Sequence, residues 1–338
     1  MDSEALIKAL PKLEQHVHIV GSTKPETLLW LVNDSGIDKP LKTLEDVKNF
    51  YTYRDFPSFL KVYSTVNDCI RKERQYERIV YEMLQTDASC NVRHVEAIFS
   101  ANDHVRRGLS YTKMLDSINR AISRAKSDFG ITCTVRVDLV RDYGPEVGMR
   151  VLDWIEDKGD NIVAIDIGGS EHAFPPELYV NVFKRAKEMG LRLVAHAGEV
   201  AGPESVYGAV EKLGVERIGH GIAVSRDPKL LSLLKERDVA IETCPISNLR
   251  TGAIRNIGEH PIKTFMSHGI NVSVNSDDPP MFNTDMNQEY LALHSELGLS
   301  VQELFQISLD SIKSSFLKDA EKERLKKVFV REYDKLMN

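Results

Sequence analysis

Residues 191–220 read "LRLVAHAGEVAGPESVYGAVEKLGVERIGH", and this stretch decides the fold class. Two short apolar runs, Leu191–His196 and Glu216–Gly219, flank a helix-length segment, Pro203–Leu213. Proline in a first turn and glycine after a last turn, here Gly214, are common signals for the beginning and end of a helix. A strand, a helix and a second strand in this order predict two parallel strands joined by a helical crossover.

The same alternation runs along the whole chain. Eight short runs rich in apolar and β-branched residues are candidate strands: Leu13–Ile19, Val92–Phe99, Thr132–Val140, Ile162–Ile167, Leu191–His196, Glu216–Gly219, Val239–Glu242 and Asn271–Asn275. Eight strands that alternate with helices favour a closed barrel over an open doubly wound sheet. We therefore predict an α/β protein with a (β/α)8 TIM barrel, formed by residues 1–338 as a single domain.

Two segments extend this plan. About seventy residues separate the first two strands, an unusually long connection, and they include the aromatic-rich "FYTYRDFPSFLKVY" at residues 50–63. We expect this segment to form an extra helical lid over the ends of the strands. The chain from Ser300 onward is expected to add helices around the outside of the barrel.

The composition excludes several classes of protein. The chain is 42% apolar and 28% charged, and its 44 basic and 50 acidic residues are scattered, so no basic run is available to follow nucleic acid. No stretch is apolar enough for a membrane span, and no signal peptide begins the chain, so we expect a cytoplasmic protein. Four widely spaced cysteines suit buried thiols, and no glycine-rich motif for nucleotide phosphates opens a helix.

Histidines and aspartates mark the ends of several predicted strands. His16 and His18 end the first strand, His196 ends the fifth and His220 ends the sixth, while "DD" at 277–278 follows the eighth. In a barrel of this kind the carboxyl ends of all strands meet at one face. Three imidazoles and one carboxylate suit zinc with one position left for water, and zinc-activated water indicates hydrolysis.

The remaining polar residues at this face have open roles. Adjacent Asp277 and Asp278 cannot both point at one metal, so one is expected to be the ligand and the other to contact substrate or hydroxide. Glu199 could act as a general acid if a dry pocket raises its pKa, and His220 could act as a base. His104, just after the second strand, is a further candidate substrate contact. The other histidines are expected to be structural.

Six stretches of the chain carry a family resemblance. They are "LPKLEQHVHIVGS", "VAIDIGGSE", "VAHAGE", "VERIGHGIAV", "ETCPISNLRTGA" and "VNSDDPPMFNTDMNQEY". In these stretches the chain resembles the adenosine and adenine deaminases of the metal-dependent amidohydrolase superfamily. The resemblance implies that one zinc ion per chain is bound by four residues: His16, His18, His196 and Asp277.

The resemblance also implies a reaction. Glu199 would protonate N1 of a purine while His220 assists attack of hydroxide at C6, so that ammonia leaves and a 6-oxopurine remains. Asp278 would contact N7 and the water, and the backbone of Gly169 would contact N3. The cytidine-type zinc deaminase pattern is missing, and so is the bridging lysine of dinuclear amidohydrolases.

One position departs from the family pattern. Adenosine-specific members have Asp where this chain has Val20, and that Asp recognises the ribose 5′-hydroxyl. Valine suits a substrate that lacks or replaces this hydroxyl, and the lid resembles that of aminodeoxyfutalosine deaminases, so Phe56 and Phe59 are expected substrate contacts.

The expected partner is therefore a small purine nucleoside, adenosine or a 5′-modified adenosine such as aminodeoxyfutalosine. Free adenine as substrate and a non-catalytic purine-binding barrel are the alternatives. The sequence leaves the oligomeric state open.

Overall fold

A computed structural model describes residues 2–53 and 56–338, with the backbone alone at Phe56 and Pro57. Its described residues contain one sheet of eight parallel strands in chain order. The strands are β1 (Lys12–His18), β2 (Val92–Phe99), β3 (Thr132–Asp138), β4 (Ile162–Asp166), β5 (Arg192–Ala197), β6 (Arg217–His220), β7 (Ala240–Thr243) and β8 (Val272–Val274).

The first and last strands close the sheet into a barrel. A parallel bridge joins Val17 to Asp277, in the segment that follows β8. The His18 amide donates to the Asp277 carbonyl at 2.8 Å, and the Asp277 amide donates to the His16 carbonyl at 3.0 Å. The predicted (β/α)8 barrel is confirmed, and its closure brings residues 16–18 beside residue 277.

Helices surround the barrel. They are α1 (Ser3–Ala9), α2 (Pro25–Ser35), α3 (Leu44–Tyr51), α4 (Phe56–Cys69), α5 (Gln75–Ser89), α6 (Asn102–Val105), α7 (Tyr111–Phe129), α8 (Pro145–Asp157), α9 (Val180–Glu188), α10 (Pro203–Tyr207), α11 (Pro228–Glu236), α12 (Pro245–Thr251), α13 (Ile262–Ser267), α14 (Pro279–Phe282), α15 (Met286–Ser295), α16 (Val301–Ser314) and α17 (Asp319–Met337). A π-helical turn, Gly208–Leu213, continues α10.

The two predicted extensions have clear local causes. Helix α16 begins at a capping box, in which Ser300 and Glu303 each accept a backbone N–H from the other. Helices α2 to α5 fill the long connection between β1 and β2. In α4 the Phe59 ring packs against Phe282 of α14, with 4.7 Å between ring centroids. This contact holds α4 against the segment that follows β8.

The strands are mostly apolar, as expected for a sheet covered on both faces. The barrel interior nevertheless holds fully buried charged side chains, among them Arg136, Asp166 and Glu242. All four cysteines are buried free thiols, as predicted. Within the described chain, no helix is both long enough and apolar enough to cross a membrane.

Candidate metal and catalytic site

A cavity of about 420 Å³ lies at the carboxyl ends of the strands. Eight of the residues singled out in the sequence line it: His18, Phe59, Gly169, His196, Glu199, His220, Asp277 and Asp278. They belong to α4 and to the ends of β1, β4, β5, β6 and β8, so the barrel brings together residues that are up to about 260 positions apart. Its volume lies within the range of about 300–1,000 Å³ that is usual for small-molecule sites.

Four side chains converge at the base of this cavity. One potential ligand atom from each of His16, His18 and His196 lies within 4.8 Å of the other two. Asp277 Oδ1 lies 3.5 Å from His16 Nε2 and 3.3 Å from His18 Nε2. The second oxygen of Asp277 accepts a hydrogen bond of 2.7 Å from Ser247 Oγ. Three imidazoles therefore lie together, and the Asp277 carboxylate lies beside two of them, His16 and His18.

Two buried carboxylates orient two of these imidazoles. His16 Nδ1 lies 2.9 Å from Glu242 Oε2, and His196 Nδ1 lies 3.1 Å from Asp166 Oδ1. A proton on each Nδ1 satisfies the carboxylate and leaves the lone pair on Nε2. His16 Nε2 is buried and has no hydrogen-bond partner among the described residues. An unsatisfied lone pair in a set of nitrogen and oxygen donors fits a transition metal such as zinc.

The backbone is strained at two residues of the site. His220 has φ +64° and Asp277 has φ +65°, in the left-handed region that residues other than glycine seldom adopt. Such strain persists where the surrounding structure enforces it, and it is common at functional sites. At Gly219 a Cβ would approach His16 Cε1 to 3.0 Å, so a residue without a side chain leaves room for this imidazole.

Glu199 lies on the loop after β5, and Glu171 organises that loop. The Glu171 carboxylate accepts the backbone N–H groups of Gly198, Glu199, Val200 and Ala201 at 2.6–3.1 Å. Burial, followed by the negative charge of Asp277, raises the pKa of Glu199 to about 7. A carboxyl group with such a pKa can donate a proton near neutral pH.

His220 faces Glu199 across the cavity. Its Nε2 lies 3.6 Å from Glu199 Oε2 and 4.0 Å from Asp277 Oδ2. Burial lowers the pKa of His220 to about 4, so the ring is neutral at physiological pH. Asn248 Nδ2 lies 3.2 Å from the other ring nitrogen, Nδ1, and Asn248 Oδ1 has no partner among the described residues. A 180° flip of this amide would place Oδ1 against an Nδ1–H group, and His220 Nε2 would then be free to accept a proton.

Two predicted substrate contacts, His104 and Val20, are not among the residues that line this cavity. His104 is buried in α6 with its ring edge-on to Tyr76, at 5.4 Å between centroids, and it does not line the described cavity. Val20 is 2% exposed and is also not among the lining residues. His104 thus packs against α5, which contains Tyr76. The side chain of Phe56 lies outside the described residues.

Sequence reasoning missed Glu171 and the charged residues beneath the histidines. Asp166, Glu242 and Arg136 are fully buried, and each lies on a barrel strand among apolar residues. A charged residue within a buried parallel strand is itself a signal, because such a charge is costly unless it has a partner. Its partner could not be read from the sequence.

The chain is similar to known proteins over most of its length. The family model for adenosine deaminase matches residues 11–331. The chain belongs to the adenosine deaminase family. As a member of this family it is an aminohydrolase.

Two relatives and one solved structure illustrate the similarity to this deaminase. An adenine deaminase from Acinetobacter baylyi is 33% identical over 96% of this chain and 97% of its own length. An aminodeoxyfutalosine deaminase from Streptomyces avermitilis is 37% identical, over 96% of this chain and 91% of its own. A zinc-bound amidohydrolase from Burkholderia ambifaria superposes with a TM-score of 0.90, at 27% identity over 99% of this chain and 93% of its own.

Proposed function

We propose that this deaminase removes the 6-amino group of an adenine nucleoside by hydrolysis, giving a 6-oxopurine and ammonia. The substrate would be adenosine or a 5′-modified adenosine such as aminodeoxyfutalosine. One observation supports this type of reaction. Glu199, whose pKa is raised, lies beside His220, which is neutral, and both residues lie next to the three imidazoles and Asp277.

We propose that one zinc ion is held by His16, His18, His196 and Asp277. Support comes from the two carboxylates beside Nδ1 of His16 and His196, which favour a proton on Nδ1 and so leave Nε2 to bind a metal, and from the zinc bound in the Burkholderia structure. When bound, zinc supplies a nucleophile from water by lowering the pKa of that water to about 7.

Three side chains of the protein would then handle protons and orient the purine. Protonated Glu199 donates to N1 of the base, which makes C6 more electrophilic. Neutral His220 accepts the proton of the attacking water. Asp278 Oδ1 is buried and has no hydrogen-bond partner among the described residues. Burial, followed by the charge of Asp277, raises the pKa of this carboxyl to about 8, so in its protonated form it would donate a hydrogen bond to N7. The Gly169 backbone lines the same cavity and would contact N3.

The size of the cavity favours a nucleoside as the substrate over a free base. Beyond the polar cluster it extends to Phe59, Tyr63 and Asp138, which would surround a sugar and a 5′ substituent. Free adenine is the second candidate, because a relative that covers almost the whole chain is an adenine deaminase.

A substrate panel with metal analysis tests this proposal. Purified protein is assayed by ultraviolet absorbance with adenine, adenosine, 5′-deoxyadenosine and aminodeoxyfutalosine, before and after removal of zinc by a chelator. We expect one zinc ion per chain, the highest kcat/KM for a nucleoside, and recovery of activity when zinc is added back. Inactivity of the zinc-loaded protein towards every adenine compound would contradict the proposal, and a preference for adenine would select the second candidate.

A further inference from the structure

One arginine lies between the two carboxylates that orient the histidines. Arg136 comes from the middle of β3, and its Nη1 donates a hydrogen bond of 2.7 Å to Glu242 Oε1. Its Nη2 lies 3.1 Å from Asp166 Oδ2. The remaining oxygen of each carboxylate faces an imidazole, His16 in one case and His196 in the other. A single guanidinium therefore joins two carboxylate–histidine pairs.

The three charged side chains of this arrangement are buried, so their charges need partners. The side chains of Arg136, Glu242 and Asp166 are all 0% exposed. A buried charge is tolerated when it is paired and hydrogen-bonded, because it has lost its hydration. Arginine suits this place, since its planar fork holds two donors in fixed directions, whereas a lysine ammonium is a point charge on a flexible chain.

The geometry also links strands that are distant around the barrel. His16 lies on β1 and His196 on β5, while their carboxylates come from β7 and β4. Each carboxylate has one further contact of its own, since Asp166 Oδ1 also accepts the Ile167 backbone N–H at 2.7 Å and Glu242 Oε1 also lies 2.8 Å from Arg217 Nε. Arg136 is the contact that the two carboxylates share. Contact with Arg136 restricts both of them, and each then presents one oxygen to a histidine Nδ1.

We propose that Arg136 is a positioning residue for the metal centre, which holds Glu242 and Asp166 so that His16 and His196 turn their Nε2 atoms to the metal. This inference rests on the zinc site proposed above. It concerns the orientation of the histidine ligands in the metal-free protein, so it can also be tested without zinc.

A second buried arginine provides a matched control. Arg217 Nε lies 2.8 Å from Glu242 Oε1, so both arginines contact the same carboxylate. Arg217 also donates to Glu96 and to the Ser314 carbonyl, and its guanidinium lies over the Phe316 ring. None of these three partners is a histidine ligand or a carboxylate beside one. Arg217 thus shares the burial and the charge of Arg136 but has no contact with Asp166.

The experiment compares Arg136→Lys with Arg217→Lys. Lysine keeps the positive charge, and circular dichroism verifies that each variant is folded. The zinc dissociation constant is measured by competition with a chromophoric chelator, since loss of such outer contacts typically weakens metal binding by about 10–100-fold. We expect a loss of this size for Arg136→Lys and a markedly smaller one for Arg217→Lys. In an Asp166→Asn background, the effect of Arg136→Lys should shrink.

Nitrogen-15 NMR of histidines in the zinc-free proteins gives the second measurement. In the wild-type chain we expect His16 and His196 to carry the proton on Nδ1, and in Arg136→Lys we expect this tautomer to lose population at both. Equal zinc affinities for the two lysine variants, or unchanged tautomers in Arg136→Lys, would overturn the inference. If the wild-type protein binds no zinc, the proposed function fails, and the tautomers still decide whether Arg136 orders the histidines.

Discussion

The backbone of Gly21 lies directly against the carboxylate of Asp278. A Cβ on residue 21 would overlap Asp278 Oδ1 and would also crowd its Cγ and Cβ. Gly21 follows β1, where the Ser22 amide donates back to the His18 carbonyl at 2.9 Å. The turn after the first two histidines therefore leaves room for an aspartate that lines the cavity.

Substitution Gly21→Ala should reduce catalysis without removing the metal site. The methyl group would displace Asp278, and a misplacement of about 1 Å can cost about 100-fold in rate. We expect a fall of about this size in kcat/KM, measured by the ultraviolet assay, with zinc content unchanged because His16 and His18 keep their positions.

Gly36→Ala is the matched control for Gly21→Ala. Gly36 ends α2 with φ +66° and has open space around it, so alanine there adds strain but no collision. It should lower the free energy of unfolding by about 1 kcal/mol and leave kcat/KM unaltered. Normal turnover in Gly21→Ala would mean that Asp278 does not need its observed position.

The strands could be predicted well because they are apolar runs between helices. The bounds of β2, Val92–Phe99, agree with the prediction at both ends. The strand ends were less accurate where the backbone turns sharply. The predicted third strand extended to Val140, but β3 ends at Asp138 because Val140 has φ +48° and a 3₁₀ turn follows. A valine in this conformation gives no local signal.

The convergence of polar side chains at the strand ends was predictable for a topological reason. Parallel strands of a barrel all end at one face, so His16, His196 and Asp277 had to converge wherever their strands were placed. The supporting contacts could not be predicted in the same way. Whether Glu242 reaches His16 depends on the tilt and register of β7 relative to β1, and neither is encoded by local periodicity.

Replacement Glu199→Gln should abolish proton donation while preserving the site. Glutamine has the same shape but carries no acidic proton, and loss of a general acid typically costs about 10²–10⁴-fold. We expect a fall in kcat of this size with unchanged zinc content by metal analysis. Exposed Glu204, on α10 after the same loop, offers Glu204→Gln as a control that should keep normal turnover. Turnover in Glu199→Gln equal to wild type would refute the role of Glu199.

Replacement Glu171→Gln should disturb the same step indirectly. An amide cannot accept all the N–H groups that this carboxylate accepts, since its NH₂ would face donors of the loop. The loop would then hold Glu199 less firmly, and we expect kcat to fall by about 10-fold or more. Zinc affinity, measured by chelator competition, should change little because Glu171 contacts none of the proposed ligands.

Glu177→Gln is the control for Glu171→Gln. Glu177 is exposed and does not contact the loop that holds Glu199, so this variant should keep normal turnover. A loss of zinc affinity in Glu171→Gln that matches its loss of turnover would assign Glu171 to the metal centre instead.

The pH dependence of stability should reveal Glu289. This residue is fully buried in α15, and burial raises the pKa of its carboxyl to about 8, although the Ile246 amide and the Thr284 hydroxyl donate to it at 3.0 and 2.9 Å. Between its unfolded pKa of about 4.3 and about 8, the folded state holds a proton that the unfolded state has released. The free energy of unfolding therefore falls as pH rises through this window.

Glu289→Gln mimics the protonated acid, so it should flatten this decline and be a few kcal/mol more stable than wild type at pH 8, as measured by urea denaturation from pH 5 to 9. Exposed Glu296→Gln should keep the wild-type slope, and parallel curves for wild type and Glu289→Gln would show that Glu289 is ionised in the folded protein.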